Sequence, residues 1–145
     1  MIRGFFDKSY QSPIPKVVAG LILPWRDARY APIEFVVDTG ASATCLHPND
    51  AIERMQFTDE ELAGLRRIAR ADRALSGITG AALYFVVPAR YLFARDDWTL
   101  QTIDGEIRVA QPIPGNENIP SVLGWDILEH FRIVLDRRTG EVQLQ

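Results

Sequence analysis

Residues 35–42 read Phe-Val-Val-Asp-Thr-Gly-Ala-Ser, an apolar run that leads one carboxylate, Asp38, into a turn of small residues. The run is typical of a buried strand, and a buried charge is costly unless hydrogen bonds satisfy it. We expect Gly40 to turn the backbone back sharply with a positive φ, which a side chain would disfavour. Neighbouring amides and the Thr39 hydroxyl would then bond the carboxylate. The stretch predicts an acid held at the floor of a cleft.

Two further stretches follow in order along the chain. Residues 76–80, Ser-Gly-Ile-Thr-Gly, place two glycines around one isoleucine, a pattern typical of a tight, mobile hairpin tip. Residues 119–128, Ile-Pro-Ser-Val-Leu-Gly-Trp-Asp-Ile-Leu, predict a short apolar strand that ends at a glycine and leads into a helix. The order of the three stretches makes the pattern more specific than any one of them alone.

Together the three stretches resemble the retropepsin-like aspartic proteases, the single-domain, retroviral-type branch of that class, over most of the chain. The resemblance implies that Asp38 is the catalytic acid. It assigns four residues to the active-site loop: Thr39, Gly40, Ala41 and Ser42. It assigns five residues to the flap that closes over substrate: Ser76, Gly77, Ile78, Thr79 and Gly80. It places two residues beneath the loop as support: Leu123 and Gly124.

The Asp-Thr-Gly string occurs once, which has a consequence for the chemistry. Peptide hydrolysis without a metal or a covalent nucleophile uses two carboxylates that share one proton, because like charges so close cannot both ionise. The second carboxylate would come from another copy, so we expect a homodimer with Asp38 opposite Asp38 on a two-fold axis. We also expect the terminal stretches, residues 1–6 and 141–145, to pair across that axis. The reaction requires no cofactor, and the partners are a second copy and a peptide or protein substrate.

Two loop positions differ from other aspartic proteases. The pepsin-like branch has a Ser or Thr at the position of Ala41, and that hydroxyl bonds the carboxylate. The retroviral branch has Ala there, as this chain does. Ser42 stands where many viral members have an Asp that binds the substrate backbone. Because Ser42 brings no charge, substrate anchoring is expected to differ here.

The composition bounds the class of protein. The chain has 145 residues, of which 47% are hydrophobic and 24% charged, which suits a single domain over residues 1–145. Many short apolar stretches separated by turns predict an all-β fold. The resemblance implies a closed β-barrel of the acid protease (retropepsin) type with two or three short helices.

Charge and processing signals narrow the functional classes. The net charge of −3 and the pI of about 5.4 argue against a general nucleic-acid or acidic-membrane binder. Cys45 is the single cysteine, so no intrachain disulfide can form. Residues 1–15 lack the apolar core of a signal peptide, and no stretch reaches transmembrane length. We expect a soluble cytoplasmic protein that binds neither nucleic acid nor membrane.

Several local signals predict individual elements. A capping box at Thr58 predicts a helix that runs to about Ala71. Pro88 is expected to interrupt or bend its strand, and Asp104 followed by Gly105 predicts a two-residue hairpin turn. We interpret Asp126 as a helix cap or a surface acid.

Three alternatives remain open at this point. The same fold could serve as a catalytically silent dimer that binds peptides or acts as a scaffold, or as a monomeric interaction domain. The Asp-Thr-Gly string could also be an ordinary polar turn. Cys45, His47 and Asp50 lie close in sequence, but two histidines and one cysteine in the whole chain make a zinc site the weaker interpretation.

Overall fold

The computed structural model describes residues 1–27, 29–72, 76–77, 80–81 and 83–145. Strands dominate the described residues. They are β1 (Ile2–Arg3), β2 (Phe5–Asp7), β3 (Ile14–Ile22), β4 (Ala31–Val37), β5 (Cys45–Leu46), β6 (Arg70–Asp72), β7 (Ser76–Gly77), β8 (Gly80–Ala81), β9 (Tyr84–Ala94), β10 (Leu100–Ala110), β11 (Val122–Leu123), β12 (Ile133–Asp136) and β13 (Glu141–Leu144). The helices are α1 (Pro48–Glu53), α2 (Asp59–Gly64) and α3 (Trp125–Leu128), and a 3-10 turn spans Leu65–Arg67. No helix of the described ranges is long and apolar enough to cross a bilayer.

Six strands form a closed ring of hydrogen-bonded pairs. β3 pairs with β4, β4 with β11, β11 with β5, β5 with β10, β10 with β9, and β9 pairs back onto β3. The pairs β4–β11 and β5–β10 are parallel, and the other four are antiparallel. Every ring strand contributes a fully buried side chain to one core cluster: Leu21, Phe35, Leu46, Tyr91, Ile107 and Leu123. The prediction of a mostly β fold with a few short helices is confirmed.

The capping box forms as predicted, but the helix after it is shorter than predicted. The Glu61 amide donates to the Thr58 hydroxyl at 3.1 Å, and the Thr58 amide donates to the Glu61 carboxylate at 3.3 Å. However, α2 ends at Gly64, and Ala71 lies in β6, where it pairs with Phe85 of β9. The predicted end at Ala71 is therefore wrong, because pairing with a distant strand overrides the local helical pattern.

The strand that contains Pro88 is not interrupted. β9 runs through Pro88 as a continuous strand and pairs with β10 along its whole length. On its other edge, β9 pairs with β6 up to Val86 and with β3 from Arg90 onward, so Pro88 lies between the two pairings. Its carbonyl accepts a hydrogen bond from the Trp25 indole at 3.1 Å instead of from a strand. The missing N–H of Pro88 therefore costs the sheet little.

The predicted turn at Asp104 and Gly105 is also wrong, because both residues lie inside β10. The hairpin turn lies instead at residues 95–99, where the Arg95 amide donates to the Thr99 carbonyl at 2.8 Å. Trp98 supplies the left-handed residue of this turn with a φ of 67°. Tryptophan is a poor match to turn statistics, which explains why the sequence pattern missed it.

The terminal strands pair with each other within one chain. Ile2 lies opposite Leu144, and β13 lies between β1 and β12 in a three-stranded sheet. Both edges of β13 are therefore occupied without a second copy. Pairing of the ends across a two-fold axis stays a prediction, and it would have to use the outer edge of β1 or β12.

Candidate functional site

The loop that follows β4 holds the half-buried Asp38. The Gly40 amide donates to Asp38 Oδ1 at 2.9 Å, and the Ala41 amide donates to the Asp38 carbonyl at 3.1 Å. Gly40 does not take the expected positive φ, since the glycines that do so among the described residues are Gly115 and Gly140. The absence of a side chain matters for space instead: a Cβ at Gly40 would lie 3.2 Å from Asp38 Oδ1.

Two hydroxyl groups flank this carboxylate at the surface. Thr39 and Ser42 are both exposed, and neither hydroxyl is hydrogen-bonded within the part of the chain that the structure describes. The Thr39 hydroxyl therefore does not bond Asp38 as expected from the sequence. Both hydroxyls remain available to a bound molecule or to a second copy of the chain.

β11 lies directly behind the acid-bearing loop. It runs parallel to β4, and the Asp38 amide donates to the Leu123 carbonyl at 3.2 Å. Leu123 is fully buried, and Gly124 follows it at the start of α3. A Cβ at Gly124 would lie 2.5–2.7 Å from three backbone atoms of Ala43, closer than atoms can approach. The two support residues predicted from the sequence therefore lie against the loop, with Gly124 in contact with its backbone.

A set of hydrogen bonds that the sequence did not predict fastens the loop to α3. The Thr44 amide donates to both carboxylate oxygens of Asp126 at 3.0 and 3.1 Å, and the Thr44 hydroxyl donates to Oδ1 at 2.7 Å. The Thr44 hydroxyl also accepts from the Gly124 amide at 3.0 Å. Asp126 is thus neither a surface acid nor a side-chain cap of its own helix. It is a tether, 82 residues from Thr44 in sequence.

Trp125 adds further bonds from α3 to the same loop. Its amide donates to the Ala41 carbonyl at 2.9 Å, and its indole Nε1 donates to the Thr39 carbonyl at 2.7 Å. The side chain is 43% exposed, so this indole bond lies near the surface of the protein. No local motif indicates this polar contact, because the two residues are 86 positions apart.

The predicted flap is described in part. Ser76 and Gly77 form β7, Gly80 and Ala81 form β8, and the two pair in the antiparallel register of a hairpin with a two-residue connection. The two predicted tip residues, Ile78 and Thr79, lie outside the described residues.

A second polar cluster lies behind β11. The Ser121 hydroxyl donates to Asp50 at 2.6 Å and accepts from the His47 amide at 3.0 Å. His47 Nε2 lies 3.2 Å from the Tyr84 hydroxyl, and burial lowers the pKa of His47 below its usual value. Its Nδ1 makes no hydrogen bond of good geometry among the described residues, although the Pro120 carbonyl lies close enough to favour the protonated ring.

Metal binding finds no support in the described ranges, where no three His, Cys, Asp or Glu side chains come close enough to hold an ion. Cys45 is buried, and its Sγ lies 3.6 Å from the Ala43 carbonyl.

No family model and no curated protein matches this sequence. The case for its function therefore depends on the geometry of the Asp38 loop.

Proposed function

We propose that this chain is one half of a homodimeric aspartic endopeptidase of the retropepsin type. The observation that carries the proposal is the asymmetric bonding of one carboxylate. Asp38 Oδ1 accepts the Gly40 amide at 2.9 Å, whereas Oδ2 makes no hydrogen bond within the described residues. A carboxylate that is oriented through one oxygen and open at the other is able to hold and deprotonate a water molecule. The bonds from β11 and α3 keep the loop in this geometry.

The requirement for a second carboxylate leads to the dimer. The sequence contains a single Asp-Thr-Gly string, and one carboxylate cannot both deprotonate the water and protonate the substrate carbonyl. A two-fold axis beside Asp38 would bring two such side chains together. The exposed Thr39 hydroxyl, which has no partner within the described part of its own chain, would then face the loop of the other copy.

The chemistry needs no cofactor. The ionised Asp38 removes a proton from the water, whose oxygen forms a bond to the carbonyl carbon. The protonated Asp38 of the other copy gives its proton to the carbonyl oxygen, so that a neutral diol results. One carboxyl then returns a proton to the amide nitrogen, the C–N bond breaks, and a diol hydroxyl gives up its proton to the other carboxylate. The pair again holds one proton, which predicts a bell-shaped pH–rate profile in mildly acidic solution.

Cleavage of a panel of unfolded proteins and peptides across acidic to neutral pH tests the proposal. We expect cleavage by the native chain and a loss of at least about a thousandfold in Asp38→Asn, because the pair is the whole acid–base apparatus. Asp104→Asn is the matched control. Asp104 is an exposed carboxylate on β10, paired with Arg90 at 2.6 Å, and its replacement should leave activity unchanged.

Two results would contradict the proposal. Full activity in Asp38→Asn would exclude Asp38 as the catalytic acid. Sedimentation of an active chain as a monomer would exclude the shared pair. A third result would favour the silent alternative: a dimer that binds a peptide carrying a hydroxyethylene group in place of the scissile bond, yet cleaves no substrate. Truncation of β13 is unsuitable as a dimer test, because Val142 and Leu144 are buried in the core of their own chain.

A further inference from the structure

The peptide group between Thr39 and Gly40 is held from both sides. On one side its N–H donates to Asp38 Oδ1 at 2.9 Å. On the other side its carbonyl accepts the indole N–H of Trp125 at 2.7 Å. The carbonyl and the N–H of a trans peptide point in opposite directions, so one rigid planar unit connects the indole to the carboxylate.

Two effects follow from this arrangement. The first is orientation, because a peptide plane fixed at its carbonyl cannot rotate its N–H away from Asp38. The second is polarisation, because hydrogen bonds that are linked in series strengthen one another, on the order of 10–30% per bond. An N–H whose own carbonyl accepts a bond is therefore a better donor to the ionised carboxylate.

We propose that Trp125 is a positioning residue, which orients and polarises the Thr39–Gly40 peptide and through it holds the Asp38 carboxylate. The inference rests on the proposed function only for its kinetic readout. Among the described residues Trp125 donates to the Thr39 and Ala41 carbonyls and not to the Asp38 carboxylate, so its action on that carboxylate is indirect.

Trp125→Phe tests the proposal, because it removes the indole N–H and keeps an aromatic ring at a position that is 43% exposed. Trp25→Phe is the matched control. The Trp25 indole also donates to a backbone carbonyl, that of Pro88 at 3.1 Å, but it packs against Phe57 away from the Asp38 loop.

The first measurement is the amide resonance of Gly40 in ¹H–¹⁵N spectra, which does not depend on activity. We expect its proton to move upfield in Trp125→Phe and to stay in place in Trp25→Phe. Trp125→Leu should move the proton in the same direction, since it also removes the indole N–H. A Gly40 resonance that is unchanged in the folded Trp125 variants would overturn the proposal.

A measurement on the native chain covers the case in which both Trp125 variants fail to fold. The indole proton of Trp125 should exchange with deuterium more slowly than that of Trp98, which is 95% exposed. Equal exchange rates would mean that the bond to Thr39 is not formed in solution, and the proposal would fail.

The second readout is kinetic. In Trp125→Phe we expect kcat to fall about three- to tenfold, the rate equivalent of one hydrogen bond, while KM changes by less than about twofold. A rise in KM with an unchanged kcat would assign Trp125 to substrate binding and contradict the positioning role. A native chain that cleaves nothing would count against the proposed function, whereas the Gly40 resonance would still decide the role of Trp125.

Discussion

A methyl group added at position 124 would overlap the backbone of the Asp38 loop. The Cβ of Gly124→Ala would lie 2.5 Å from the carbonyl carbon, 2.6 Å from the oxygen and 2.7 Å from the nitrogen of Ala43. A neighbouring side chain could rotate away, but these are main-chain atoms. Thr44, the next residue, is itself bound to the Asp126 carboxylate. The substitution must therefore push the junction of β11 and α3 away from the loop.

The expected cost has two parts. Overpacking of a close-packed site costs about 1–3 kcal/mol. The Gly124 amide also donates to the buried Thr44 hydroxyl at 3.0 Å, and losing that bond adds about 0.5–1.5 kcal/mol. We expect Gly124→Ala to lower the free energy of unfolding by about 2–4 kcal/mol, a large part of the usual 5–15 kcal/mol. In urea the midpoint should fall by about 1–2 M.

The assay is urea unfolding followed by circular dichroism, at one protein concentration because the stability of the proposed dimer would depend on it. Gly64→Ala is the control. A Cβ at Gly64, the last residue of α2, meets nothing within 4 Å, so alanine should raise stability by up to about 1 kcal/mol. A Gly124→Ala midpoint equal to that of the native chain would refute the argument, because the loop could not then be packed tightly against α3.

Three further predictions concern buried or paired polar groups. Asp126→Ala should lower the free energy of unfolding by about 2–3 kcal/mol, because Thr44 loses a charged acceptor; native stability would show that the tether contributes nothing. Burial lowers the pKa of His47 below its ordinary 6.5, so the unfolded chain takes up this proton first and stability falls as the pH drops below that value. In His47→Gln the urea midpoint should therefore change less between pH 7 and about pH 5 than it does in the native chain. An equal pH dependence of the midpoint in the two chains would contradict this. The hydrogen bond from Lys16 holds the pKa of Asp7 well below its ordinary 3.8, so this pair stabilises the fold above that pH and loses its effect as the pH falls further. Native and Asp7→Asn chains should differ in thermal stability at pH 7 and converge in strong acid, and a constant gap would argue against the pairing.

The sequence predicts an element correctly where residues close together in the chain determine it. The capping box at Thr58 needs only a residue three positions away. The misplaced turn at Gly105 shows the limit of such signals. A pairing of β9 with β10 along eleven residues each outweighs one dipeptide preference.

The same distinction between near and distant residues applies to the candidate site. Asp38 and its loop could be found from a short string, because the carboxylate and its Gly40 donor are two residues apart. The side-chain bonds of Asp126 and Trp125 that fix the loop could not be found in this way. Thr44 and Asp126 are 82 residues apart, and the Trp125 indole is 86 residues from the carbonyl that it bonds. No local periodicity encodes such contacts, since the ring topology creates them.

The pairing of Ile2 with Leu144 also determines when the fold can be completed during synthesis. At about 5–20 residues per second, a ribosome adds the residues of β13 on the order of ten seconds after those of β1. During that time β1 lacks β13, the strand that joins it to β12, and Ile2, which is 2% exposed in the folded chain, lacks its partner. The early chain therefore carries open strand edges that other chains could join. Folding of this sheet is accordingly a late event, and nascent chains stalled before residue 141 are the species that we expect to need chaperones.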